Sequence, residues 1–275
     1  MTITKKQFNP GKGVIYYFSG TGNTAFVASE FQANYKKAKI DVDIFPIETI
    51  ETVPSQSKYT FIMIGFPTYA FYPPQMVIDF VKKLPEVNDK PVILFGTAGG
   101  SAGASFSILE NILKKKHYTV VSNFLYVMPD NVYFMFGKDT QSNEQTELLI
   151  TNTTEKVKMD FEIIISGKSK FVKCGFFLKL MSEIVHFFFN NLGQKQQKNR
   201  WYWDRKECTF CGLCEKSCPT KNITMKKEKG KITWGNNCMF CTRCYNFCPR
   251  NAIHYKSINK TNKFNRYTRL KDEIL

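Results

Sequence analysis

One cysteine pattern occurs twice in the C-terminal part of this chain. Cys208, Cys211, Cys214 and Cys218 follow C-x2-C-x2-C-x3-C with Pro219 directly after, and Cys238, Cys241, Cys244 and Cys248 repeat it ahead of Pro249. A structural zinc site takes four ligands, usually as two separated pairs. It gives no reason for a third cysteine at x2 spacing or for two Cys-Pro steps. A disulfide framework belongs to small secreted domains. Here residues 1–12 are polar and basic, and the first apolar run, Val14 to Phe18, is too short for a signal-peptide core. The duplication is an internal repeat. Ile223 and Ile253 each lie five residues after the fourth cysteine of their half, followed by strand-like alternation, and Lys229-Gly230 supplies a turn between the halves.

The spacing resembles the ligand run of bacterial-type two-cluster ferredoxins, over about Trp201 to Tyr255. In that arrangement three thiolates wrap one corner of a cubane and the fourth reaches across to the other cluster. The resemblance therefore implies one [4Fe–4S] cluster on Cys208, Cys211, Cys214 and Cys248. It implies a second on Cys238, Cys241, Cys244 and Cys218.

Such a module fills a small part of 275 residues, and 43% hydrophobic composition with 25 Phe and 13 Tyr supplies a further core. Residues 13–130 alternate strand and helix, which implies a parallel sheet. Val14–Phe18, Phe61–Ile64 and Val92–Phe95 are continuous apolar runs, as strands buried on both faces should be. Ile40 to Ile44 alternates as an edge strand would, and Val120 to Val127 is the expected fifth strand. Helices are marked by Val27, Phe31 and Tyr35, by Met76, Phe80 and Leu84, and by Ile108 with Ile112.

The loop after the first strand admits two readings. Gly20-x-Gly22-x-x-Ala25 satisfies a dinucleotide fingerprint, with Asp41 or Asp43 about 20 residues on as a ribose acid. Between the glycines, however, Ser19, Thr21, Asn23 and Thr24 set hydroxyls and an amide around a helix N-terminus, which suits a terminal phosphate. No Lys follows, so it is not a Walker loop. Phe18 to Thr24 resembles the phosphate loop of flavodoxins. The loop with Pro67, Thr68, Tyr69, Ala70 and Phe71 resembles the one that packs on the flavin ring, and that with Thr97, Ala98, Gly99, Gly100 and Gly103 the second ring loop.

The two halves in this order resemble the flavodoxin–ferredoxin fusion proteins of anaerobes, over residues 13–130 and 201–270. Met128-Pro129-Asp130-Asn131 and Asn265-Arg266-Tyr267 are shared with that family, without a role derivable from the sequence. The resemblance implies a flavodoxin-like doubly wound α/β sheet of order 2-1-3-4-5 over residues 1–131, holding FMN. A helical connector follows over 132–200, then a small α+β two-cluster ferredoxin domain with a C-terminal extension over 201–275. In the connector, Ser142-x-x-Gln145 is a capping box ahead of Leu149, Val157, Phe161 and Ile164, and Gly167 is a stop. A second helix lies around Phe176 to Phe189, and the two helices are expected to set the modules' relative position. Lys173, Lys179, Glu183 and His186 interrupt the apolar stretch from Phe171 to Leu192, which reads as a packed helix rather than a membrane span, with shallow membrane association as the alternative. The ninth cysteine, Cys174, reads as a buried thiol.

The charge is +16, and residues 201–275 hold 16 basic against 6 acidic residues. Each oxidised cluster with its thiolates offsets about −2. The remaining positive field suits an acidic redox partner protein better than nucleic acid. The expected function is a cytoplasmic electron carrier relaying between FMN, the clusters and that partner, with no catalytic acid or base. The alternatives are an FMN-dependent reductase of NAD(P)H or a small molecule, and a redox- or oxygen-sensing binding protein. Against the reductase, no second Gly-rich strand–helix loop is present.

Overall fold

The structure, a computed structural model, describes residues 11–136, 138–188, 199–256 and 266–267. Five parallel strands form the main sheet: β1 (Gly13–Tyr17), β2 (Val42–Pro46), β3 (Phe61–Pro67), β4 (Lys90–Ala98) and β5 (Tyr118–Val127). Their order is β2-β1-β3-β4-β5, the doubly wound flavodoxin-like arrangement, with β2 at an edge as its alternation indicated. Successive residues feed opposite faces of the sheet. Tyr16, Ile64 and Leu94 enter one core, under α2 (Gln75–Lys83) and α3 (Ser105–Lys114). Ile15, Met63 and Ile93 enter the other, under α1 (Asn23–Lys37) and α4 (Asn143–Ile165). Gly65 sits beside Phe95 in register, and a Cβ there would lie 2.1 Å from that ring, so glycine makes room for the aromatic.

Two details differ from the sequence reading. In α3 the buried face is Phe106, Leu109 and Leu113, with Ile108 and Ile112 half-buried beside it. Helix α4 opens on the expected capping box, with Gln145 N donating to Ser142 Oγ and Ser142 N to Gln145 Oε1. It then packs on α1 rather than between modules: Val157, Phe161 and Ile164 join the core of Phe31 and Tyr35. Phe161 meets Tyr35 edge-on at 4.9 Å. We expect Phe161→Ala to lower unfolding free energy by about 3 to 5 kcal/mol, read as a drop in the urea midpoint of the sheet's far-UV signal. An unchanged midpoint would place α4 outside this core.

Helix α5 (Phe176–Phe188) rests on the loops after β3 and β4. No helix among the described residues is long and apolar enough to cross a membrane. Cys174 is half-buried rather than buried, in the irregular segment between α4 and α5. The Phe189–Leu192 end of the apolar stretch lies outside the described residues.

The cysteine repeat folds as two equivalent halves. Strand β6 (Trp201–Trp203) pairs antiparallel with β9 (Ile253–Tyr255), and β7 (Ile223–Lys226) with β8 (Lys231–Trp234) across the turn at Gly230. Short helices α6 (Leu213–Lys216) and α7 (Arg243–Asn246) precede the fourth cysteines. Left-handed backbone recurs at equivalent positions: Phe210 and Phe240, Gly212 and Thr242, Lys221 and Asn251. The duplication in sequence is thus a duplication in backbone.

Candidate functional site

The eight repeated cysteines surround two cavities, and each cavity draws its thiols from both halves. Cys208, Cys211, Cys214 and Cys248 line one, with Leu213, Ile232 and Ile253. Cys218, Cys238, Cys241 and Cys244 line the other, with Trp201, Ile223 and Trp234. Among the described residues no three His, Cys, Asp or Glu side chains converge as a single metal ion needs. The four cysteines lining each cavity match the ligand count of a polynuclear cluster.

Backbone amides point at the sulfurs in matching pairs. Asn222 N donates to Cys218 Sγ and Ala252 N to Cys248 Sγ, both at 3.2 Å. Burial pushes the Cys214 and Cys241 thiols up to about 12, so free thiolates are disfavoured there. A polycationic iron–sulfur core bound by the thiolates reverses that sign. The donor set, its crossing and the amide pairs fit two [4Fe–4S] clusters.

The three loops assigned to the flavin meet at the C-terminal edge of the sheet, where open α/β sheets bind ligands. Gly22, left-handed at φ 107°, starts α1, and no side chain caps that helix. Its first amides therefore form an anion cradle, walled by the buried Ser19, Thr21 and Thr24. Gly22 N donates to Ser19 Oγ (3.1 Å), and the Thr24 and Thr97 hydroxyls share a 2.8 Å hydrogen bond. Thr68 N donates to Thr97 O (2.8 Å), joining the two ring loops at their base.

Ala70 and Phe71 both have positive φ inside a turn closed by reciprocal Tyr69–Tyr72 backbone bonds of 2.9 and 3.0 Å. That conformation costs roughly 1–2 kcal/mol for each non-glycine residue, and the two Tyr69–Tyr72 backbone bonds offset part of it. Farther out the loops touch: a Cβ on Gly103 would lie 2.3 Å from Phe71 Cβ and 2.7 Å from Ser182 Oγ of α5. Gly100 stands in open space, and a Cβ on Gly99 would lie 2.8 Å from Asp130 Oδ2. Burial raises the Asp130 carboxyl. The buried hydroxyls of Thr68, Tyr69 and Ser105 have no hydrogen-bond partner among the described residues. Uncapped amides and orphaned hydroxyls at one edge fit a flavin mononucleotide.

The dinucleotide reading fails on geometry. Asp43 pairs in register with Val14 near the start of β1, away from the phosphate loop. It is occupied by Lys12 (2.7 Å) and by the Tyr59 hydroxyl (2.8 Å). Asp41 binds the same lysine at 2.9 Å.

No sequence motif announces what joins the two sites. Arg243, between two ligand cysteines, donates from Nε to Gly20 O (2.9 Å) and from Nη2 to Ser19 O (2.6 Å). It also pairs with Glu48. A Cβ on Gly20 would lie 2.9 Å from the Cys241 carbonyl and 2.5 Å from the Tyr69 hydroxyl. The two short motifs without a role also meet here. Asn131 Nδ2 donates to Thr21 Oγ1 and Asn23 Nδ2 to Pro129 O (2.8 Å). Tyr267 OH donates to Asn23 Oδ1 (2.7 Å), and Arg266 donates to the carbonyls of Tyr245, Asn251 and Ile253. Asn265 lies outside the described residues. Phe134 completes the contact by stacking on Tyr245 at 3.9 Å within the cysteine-repeat core.

Residues 207–253 match the 4Fe-4S dicluster domain family. No curated protein matches the chain. Among solved structures, the two-electron reduced flavodoxin of Megasphaera elsdenii is 26% identical, covering 52% of this chain and 98% of its own, at a TM-score of 0.38. The oxidised flavodoxin 1 of Bacillus cereus is 20% identical, covering 54% and 98%, also at 0.38. The rubredoxin oxygen:oxidoreductase of Desulfovibrio gigas is 15% identical, covering 55% and 36%, at 0.34.

Proposed function

We propose that this chain, a flavodoxin-like α/β domain followed by a 4Fe–4S dicluster domain, transfers electrons between FMN, its two clusters and an external redox protein. When bound, FMN supplies exchange between two-electron and one-electron chemistry, and each cluster supplies a one-electron store. The observation that carries the reading is the Arg243 junction. One side chain ties the carbonyls of the phosphate loop to the loop bearing Cys241 and Cys244. The ligand set of Cys218, Cys238, Cys241 and Cys244 is therefore the one in contact with the flavin loops. The other set carries the exposed Cys211, beside which a partner would dock. We assign FMN to Ser19–Thr24, Pro67–Phe71, Thr97–Gly100 and Gly103.

The chain's own work is positional. Ser19, Thr21 and Thr24 wall the phosphate, the Tyr69–Tyr72 turn fixes the ring loop, and amides directed at sulfur tune the thiolates. The positive field of residues 201–275 attracts an acidic partner. Flash reduction of the loaded protein tests the reading. Absorbance is expected to redistribute between flavin and cluster bands in a first-order phase that does not depend on protein concentration. A rate proportional to concentration would mean transfer between molecules and would remove the junction's role.

A further inference from the structure

Helix α5 is turned inside out. Ser182 is fully buried against Gly103, Glu183 accepts a hydrogen bond from the Tyr72 hydroxyl (3.0 Å), and the His186 ring stacks on Tyr72 with centroids 3.5 Å apart. Ser182 and the half-buried His186 face the protein together with Leu178 and Val185, while Glu183 reaches Tyr72 from the exposed rim. Phe176, Phe177, Leu180, Met181, Ile184 and Phe187 face outward, with Phe176 and Phe177 76% and 80% exposed. A surface helix normally turns its apolar stripe to the core, so a contiguous outward one marks an interaction surface. At each end two rings pack edge to face, Phe176 with Phe177 at 5.8 Å and Phe187 with Phe188 at 5.7 Å.

Charge decides between the possible covers. Residues 168–200 hold seven basic residues and a single acidic one, Glu183, which is already bonded to Tyr72. Lys179, within α5, and Lys173, three residues before it, are exposed. A second copy would set this field, on a chain of charge +16, against itself. An anionic bilayer offers acyl chains to the phenylalanines and phosphates to the lysines. The 13 described residues of α5 span about 20 Å at helical rise, and among the described residues no helix is long and apolar enough to cross a membrane. The helix therefore suits the plane of the headgroups.

We propose that α5 docks the protein on an anionic membrane surface, with its phenylalanine face in the acyl boundary and its lysines among the lipid phosphates. Flotation of the full chain tests this with phosphatidylcholine vesicles containing phosphatidylglycerol, against vesicles of phosphatidylcholine alone. Partitioning to the anionic vesicles is expected to be higher by about tenfold or more and to fall with added salt. The double variant Phe176→Ser with Phe177→Ser should lower it by about tenfold while keeping the wild-type circular dichroism. Absence of binding to anionic vesicles, or binding undiminished in a folded double variant, overturns the proposal. So does a wild-type dimer in sedimentation velocity that the double variant dissolves, because the face then belongs to a second copy. The assay does not involve flavin or electron transfer, so its failure leaves the proposed function standing.

Discussion

Cys241→Ala is expected to halve the iron of anaerobically purified protein, from about eight to about four atoms per chain, with released flavin unchanged at about one. Cys241 lines the second cavity with Cys218, Cys238 and Cys244, and a cubane deprived of one of four thiolates exposes an iron corner. The other cavity keeps all four of its thiols. Because the lost site is the one touching the phosphate loop, the fast flavin–cluster phase should vanish as well. Iron, acid-labile sulfide and flavin measured on one sample check both halves of the expectation. Unchanged iron would sink the ligand assignment.

Arg243→Ala should slow flavin–cluster transfer by about tenfold or more without changing iron or flavin content. The guanidinium and Glu48 side chains are only 11% and 16% exposed. Removing one partner strands the other, at a cost of about 3 to 5 kcal/mol, and unties both phosphate-loop carbonyls. Arg243→Lys should recover little, since a point charge does not reproduce a planar fork that meets the carbonyls of Ser19, Gly20 and Ser217 and the Glu48 carboxylate. Adding Glu48→Gln to Arg243→Ala should restore stability, read as the urea midpoint, but not the rate. Recovery of both would reduce the arginine to a structural ion pair.

Much of this architecture was legible because its physics is local. Strands buried on both faces have to be apolar throughout, so Val14–Phe18 and Phe61–Ile64 declare themselves. Cluster ligation demands fixed spacing, so eight cysteines stand out. What escaped is non-local. Arg243 is one basic residue in a basic region, and its partner Glu48 is 195 positions away. No pattern around either announces the pair. In α3 the apolar arc is wide, and Ile108 and Ile112 lie on its flank rather than its centre. In α4 the helical period identified the buried side but not its neighbour, which proved to be α1. In α5 the apolar stretch reads as a packed helix, yet Phe176, Phe177 and Phe187 are exposed. A pattern does not say which side meets protein, and here the Ser182 and His186 side does.

The Arg243 junction also sets an order in time. Gly20 and the arginine that covers it are 223 residues apart, and a ribosome adding 5–20 residues per second needs on the order of ten to forty seconds between them. Throughout that interval the phosphate loop stands uncovered on the growing chain, with neither Arg243 nor Tyr267 yet made. A cofactor that binds in that interval meets the loop before Arg243 and Tyr267 have fixed its carbonyls and Asn23.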